Sequence, residues 1–117
     1  MNKLFLLLII LFSTGAATAA DLPAVDQAAI RAAVEGHMTA FRHDDGAAAF
    51  AYASPRIRAI FKDPSNFMRM VRKEYQPIYR SKAVSFRDLE TIEGRLVQPV
   101  AVLGPTGVPI TALYIME

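Results

Sequence analysis

KAVSFRDLETIEGRLVQPVAVLGPTGVPITALYIM, residues 82–116, is the stretch whose reading decides the fold. Its apolar residues fall at every second position, so Val84 and Phe86 share one face of an extended chain, with Asp88 next in the alternation. Ser85, Arg87 and Leu89 take the other face. Glu93-Gly94 and Gly104-Pro105-Thr106-Gly107 are turn signals. They divide the stretch into three strands: one from Lys82, one from Arg95 to Leu103, and one from Val108 to Met116. Pro99 has no N–H to give a ladder, which places it at an edge, on an unpaired side or at a bulge. Pro109, close to a strand start, poses less difficulty.

Upstream the period is 3.6. Ile30, Val34, His37/Met38 and Phe41 recur at helical spacing, predicting a helix from an N-cap at Asp26 to about His43. Ala29, Ala32, Ala33 and Gly36 give it a second, small-residue face. Asp44 or Asp45 is placed to cap a short helix from Gly46 to Ala53, with Phe50, Ala47, Ala51 and Tyr52 on its apolar side. Ser54-Pro55 ends that helix and opens a third, since proline is tolerated in a first helical turn. After the break at Asp63-Pro64-Ser65, Asn66 to Tyr75 reads as a helix with Phe67, Met70, Val71 and Tyr75 inward and Arg69, Arg72 and Lys73 outward. Helices followed by an antiparallel meander predict an α+β domain, with the N-terminal helices packed on a curved antiparallel sheet. The last strand, Ala112 to Met116, carries no charge before Glu117 and would be an aggregation-prone edge if bare. A further strand, from more chain or from a partner chain, is therefore expected.

The chain has 117 residues, 53% hydrophobic and 21% charged, with no cysteine and no tryptophan. Length and composition fit one domain, and they exclude a large multi-domain enzyme, a disulfide scaffold and thiolate metal sites. Residues 1–20 read as a secretory signal peptide: Asn2 and Lys3, an apolar block from Leu4 to Phe12, then Gly15 to Ala20 as a small-residue exit. Cleavage near Ala19 or Ala20 would leave a single domain over residues 21–117. The apolar block is about half the length of a membrane span, so the expectation is an exported, periplasmic protein with no stable span once the signal is removed. The formal charge is only +2. Yet between Pro55 and Arg87 stand Arg56, Arg58, Lys62, Arg69, Arg72, Lys73, Arg80, Lys82 and Arg87 against Asp63 and Glu74. A solvated helix face explains most such runs. An anionic partner is the other reading, and nucleic acid has no motif to support it.

Several runs in this chain are specific in combination: Ala40-Phe41-Arg42-His43-Asp44-Asp45, Phe50-Ala51-Tyr52-Ala53-Ser54-Pro55, Asp63-Pro64, Asn66-Phe67, Pro77-Ile78-Tyr79-Arg80, Val84-Ser85-Phe86 and Ala112-Leu113-Tyr114. Together they resemble the domain-of-unknown-function 4864 family of small exported bacterial proteins, from about Asp26 to Glu117. The resemblance implies a cone-shaped α+β barrel related to nuclear transport factor two and ketosteroid isomerase. It also implies a final strand that this sequence lacks. No activity and no catalytic residues come with the family.

Chemistry is sparsely signalled. His37, His43, Asp44 and Asp45 form the densest polar cluster, but histidines six apart on a helix diverge by about 120°, and the two aspartates have capping work to do. Phe41, Phe50, Tyr52, Phe67, Tyr75, Tyr79, Phe86 and Tyr114 are candidates to line a ligand cavity. Arg80 is the candidate anion contact. Asp88 and His37 are the candidate general bases, which would need an inward, apolar position to work. No metal or other cofactor motif is present. The leading expectation is a non-catalytic module that binds a small apolar or anionic ligand. A small lyase or isomerase is the alternative, and a homodimer formed through the open sheet is the third reading.

Overall fold

The computed structural model describes residues 22–116 and, for Lys3–Leu6, the backbone. The signal-peptide and cleavage expectations lie outside the described residues, apart from that short segment. The elements in chain order are β1 (Lys3–Leu6), α1 (Ala24–Arg42), α2 (Gly46–Ala51), α3 (Pro55–Phe61), α4 (Pro64–Glu74), α5 (Gln76–Tyr79), β2 (Ala83–Phe86), β3 (Glu90–Ile92), β4 (Arg95–Leu103) and β5 (Pro109–Ile115). The architecture is α+β, with helices packed on one face of a five-stranded sheet whose strands β2 to β5 are antiparallel.

Local chemistry sets most boundaries. Residue Asp26 is not the N-cap of α1: the helix starts earlier, with Pro23 in the cap position and its carbonyl accepting the Asp26 and Gln27 amides at 3.0 Å each. Proline's fixed φ suits that entry, and Asp26 falls in the first turn, where the helix dipole favours its charge. Asp45, not Asp44, caps α2, accepting the Ala48 amide at 3.1 Å. Ser54 caps α3 through the Ile57 amide at 3.2 Å, and Asp63 caps α4 through the Asn66 amide at 2.8 Å. Each of these last two is followed by proline as the first helical residue. Helix α4 therefore begins at Pro64 rather than at Asn66, and α2 stops at Ala51 rather than Ala53.

The predicted first strand is two strands. β2 and β3 both pair with β4, but Phe86 faces Val100 whereas Glu90 faces Val97. Three residues, Arg87, Asp88 and Leu89, thus oppose the two residues Gln98 and Pro99, which is a bulge. Pro99 is its cause. In register, Arg87 and Pro99 would exchange two backbone bonds. The Arg87 amide donates to the Pro99 carbonyl at 3.1 Å, but proline cannot return the bond. The Gln98 side chain does so instead, its Nε2 donating to the Arg87 carbonyl at 2.7 Å and to the Pro99 carbonyl at 2.8 Å. The β3–β4 hairpin closes through Glu93 and Gly94, at φ 52° and 77°, a left-handed pair that glycine accommodates without strain.

β4 is central, with β5 on its other side in antiparallel register from Val97↔Ile115 to Leu103↔Pro109. Val100, Val102, Ile110, Ala112 and Tyr114 face the helices and are buried, meeting Ile30, Val34, Met38 and Phe41 of α1 and Phe67 and Val71 of α4. The far edge of β5, expected to lack a neighbour within this chain, carries β1 in parallel, from Lys3↔Ile110 to Leu6↔Leu113. The opposite sheet face displays Ala101, Leu103, Thr111, Leu113 and Ile115, so it is largely apolar too.

Candidate functional site

The bulge shapes a cleft. The bulge residues Arg87, Asp88 and Leu89 form one wall, and Ala24, Gln27, Ala28 and Arg31 of α1 form the other, at a spacing that keeps them on one helix face. Ala24 and Ala28 end at Cβ, and the space they leave empty belongs to a cavity of about 400 Å³. Gln98 lies on its floor, 2% exposed. Because the Gln98 amide protons go to the Arg87 and Pro99 carbonyls, its remaining polar group is Oε1, an acceptor. Gln27 is similarly tied, donating from Nε2 to the Leu22 carbonyl at 2.9 Å.

Arg31 is held in place by stacking: its guanidinium carbon lies 4.9 Å from the centre of the Phe86 ring. That stack marks the boundary with a second cavity of about 300 Å³ along the same seam, between Glu35, Met38, Thr39 and Arg42 of α1 and Val84 and Phe86 of β2. A shallower hollow of about 260 Å³ lies on the opposite sheet face, among Ala83, Ser85, Ala101, Leu103 and Thr111.

His37 lies elsewhere, sealed in the core at 1% exposure. Its Nδ1 is 3.2 Å from the hydroxyl of Tyr114, and the rings of Phe41, Tyr52 and Tyr114 stand edge-on around it. Nε2 has no partner. Assigning the Tyr114 hydroxyl as donor to Nδ1 leaves only the Nε2 proton unmatched, whereas the reverse assignment strands both the tyrosine proton and an imidazole lone pair. Burial pushes the imidazole down to about 3 and the tyrosine hydroxyl above its ordinary value, so both are neutral.

Asp44 and Arg80 form a third cluster, at the corner between α1 and α2. Arg80 pairs with Asp44 at 2.8 Å and donates to the Phe41 carbonyl at 2.7 Å. Its guanidinium lies 4.0 Å over the Tyr79 ring, and the Tyr79 hydroxyl donates to Asp44. That hydrogen bond and the one from Arg80 hold the Asp44 carboxyl below its ordinary value. Arg80, the expected anion contact, thus meets a carboxylate of its own chain.

The expected aromatic set is dispersed. Phe41, Phe50 and Phe67 pack on one another, with centroids 6.2 Å apart for Phe41–Phe67 and 5.3 Å for Phe50–Phe67. Tyr114 is in the core with them, and Tyr75 packs half-buried against it. Tyr79 bonds Asp44, and Tyr52 lies half-buried against Gly36. Phe86 alone of the eight lines one of the three cavities just described, while Asp88 is exposed on the wall of the first. Arg31 and Gln98 were not among the sequence candidates. The signal for Gln98 was its place before a mid-strand proline, and for Arg31 its position one and two turns beyond Ala28 and Ala24. Among the described residues no three His, Cys, Asp or Glu side chains cluster as metal ligands, and no helix is long and apolar enough to cross a membrane.

A family profile described as Domain of unknown function (DUF4864) matches residues 23–117. No curated protein and no solved structure matches the chain.

Proposed function

The chain belongs to the DUF4864 family, and from that premise we propose that it is an exported, non-catalytic module that binds a small polar ligand in the cleft between α1 and the bulge. The observation that carries this reading is the cleft itself. Its volume, about 400 Å³, lies in the range of small-molecule sites. Its floor is a buried glutamine whose orientation two backbone carbonyls fix, and one wall carries a guanidinium braced on an aromatic ring. Such pre-ordered polar groups lower the cost of binding. The enzymatic alternative finds less support. His37 is neutral and walled in by rings, and Asp88 is exposed, whereas a carboxylate base of this kind works from an apolar, water-excluding setting.

Self-association through the sheet is a second reading, favoured by the apolar far face of β4 and β5. Removal of the leader at Ala19 or Ala20 would also take β1 away from the β5 edge. Native mass spectrometry of the exported protein tests these readings together. A co-purifying small molecule, lost in the Arg31→Gln variant, is the expected result. Protein that is empty, and that stays empty when offered a cell extract of small molecules, overturns the binding reading; a strictly monomeric protein overturns the second.

A further inference from the structure

We infer that the α1–bulge cleft selects a small zwitterion, a molecule with a carboxylate at one end and an ammonium group a few ångströms away, as in a free amino acid. This rests on the reading of the cleft as a ligand site.

The helix wall carries Arg31, and the bulge wall carries Asp88 next to Arg87. Arg31 comes from the helix and Asp88 from the bulge, both line the cavity, and among the described residues no ion pair joins them. Arg31 is kept on its own wall by the Phe86 ring. A lone anion drawn to Arg31 would face the Asp88 carboxylate, and a lone cation drawn to Asp88 would face the guanidinium. A ligand bearing both signs pairs with Arg31 and Asp88 at once, which neither a lone anion nor a lone cation does.

The hydrogen-bonding groups divide the same way. The guanidinium is a fork of donors matched to a carboxylate. Beside Asp88, the floor residue Gln98 has spent its donors on the Arg87 and Pro99 carbonyls and offers an acceptor. Arg31 therefore gives protons, while the Asp88 carboxylate and Gln98 Oε1 take them. An ammonium group, with donors and no acceptor, fits the latter pair.

The test uses the purified full chain and three probes of one shape: leucine, 4-methylpentanoate, which is leucine without its amine, and isoamylamine, which is leucine without its carboxylate. The remaining amino acids are screened alongside them. Titration is followed by NMR through the Arg31 Nε–H and Gln98 side-chain amide signals. The expected result is that at least one amino acid shifts both signals and binds tenfold or more tightly than either of its half-charged analogues. Arg31→Gln and Asp88→Asn should each weaken it tenfold or more, and Asp88→Asn should strengthen the carboxylate-only analogue. Both positions are exposed, so circular dichroism is expected to show both variants folded. Equal binding of the amino acid and its carboxylate analogue overturns the zwitterion while leaving a ligand cleft in place. No shift with any amino acid also overturns it, and the broader reading is then decided by the native mass measurement.

Discussion

The side chain of Gln98 donates to the carbonyl of Arg87 at 2.7 Å, across the sheet, where the next residue, Pro99, has no proton to return. The bond joins a sequence oddity to the cleft: it anchors the bulge that carries Asp88, and it uses up the donors of the residue on the floor.

Replacing Gln98 with alanine should cost about 1–3 kcal/mol, the usual cost of leaving a buried acceptor unpaired. The penalty should shrink in a Pro99→Val background, where a backbone N–H becomes available to the Arg87 carbonyl. Urea denaturation of the four proteins of the cycle measures the coupling. Strict additivity would show that the side chain does not stand in for the missing amide.

His37 should make the fold acid-sensitive well above the carboxylate range. Its folded value of about 3 lies below the ordinary 6.5. The unfolded chain thus binds the proton in that window while the folded chain does not. The contribution is whole above pH 6.5 and is lost as pH falls through the window, at up to about 1.4 kcal/mol per pH unit. Asp44, held below its ordinary 3.8, loses its contribution only at lower pH. Denaturation between pH 4 and 7 should show a slope in the native protein that largely disappears in His37→Gln; identical slopes would contradict a buried neutral imidazole.

Gly36→Ala separates helix propensity from packing. Propensity alone would stabilise the helix by about 1 kcal/mol. But a Cβ at Gly36 would overlap the Tyr52 hydroxyl, and overpacking of this kind costs about 1–3 kcal/mol. The substitution should lower Tm in the native background and raise it in Tyr52→Ala, a reversal of sign readable by calorimetry.

Asp44 sits at φ 53°, the left-handed region, while its carboxylate binds Tyr79 and Arg80. Asp44→Gly removes the carboxylate but relaxes the backbone, and Asp44→Ala removes it and keeps the strain. The glycine variant should therefore melt above the alanine variant and below the native protein, with the native advantage shrinking in high salt.

Much of the fold was legible because it rests on contacts within a few residues. The Ser54-Pro55 pair announces a helix start, with the Ser54 side chain accepting an amide three positions on, whereas the same arrangement at Asp63-Pro64 reads as a break from sequence. Ile30, Val34, Met38 and Phe41 mark a buried stripe by period alone. Pro99 required an edge, an unpaired side or a bulge, and the structure has the bulge. Among the features that escaped are the division of the first strand, the short helix α5, the placement of Phe41, Phe50 and Phe67 against each other, and the cleft.

What the sequence determined by itself is the order of helices before strands, the four longer helices, the α+β class and the family resemblance, since periodicity and proline chemistry act locally. Only the tertiary structure decided that Arg80 meets Asp44, that His37 is sealed against Tyr114, and that Arg31 faces Asp88 across a cavity with Gln98 beneath. Those relationships join α1 and the turn that follows it to residues far along the chain. The free energy of each depends on which distant groups share its burial, and local sequence pattern does not specify that.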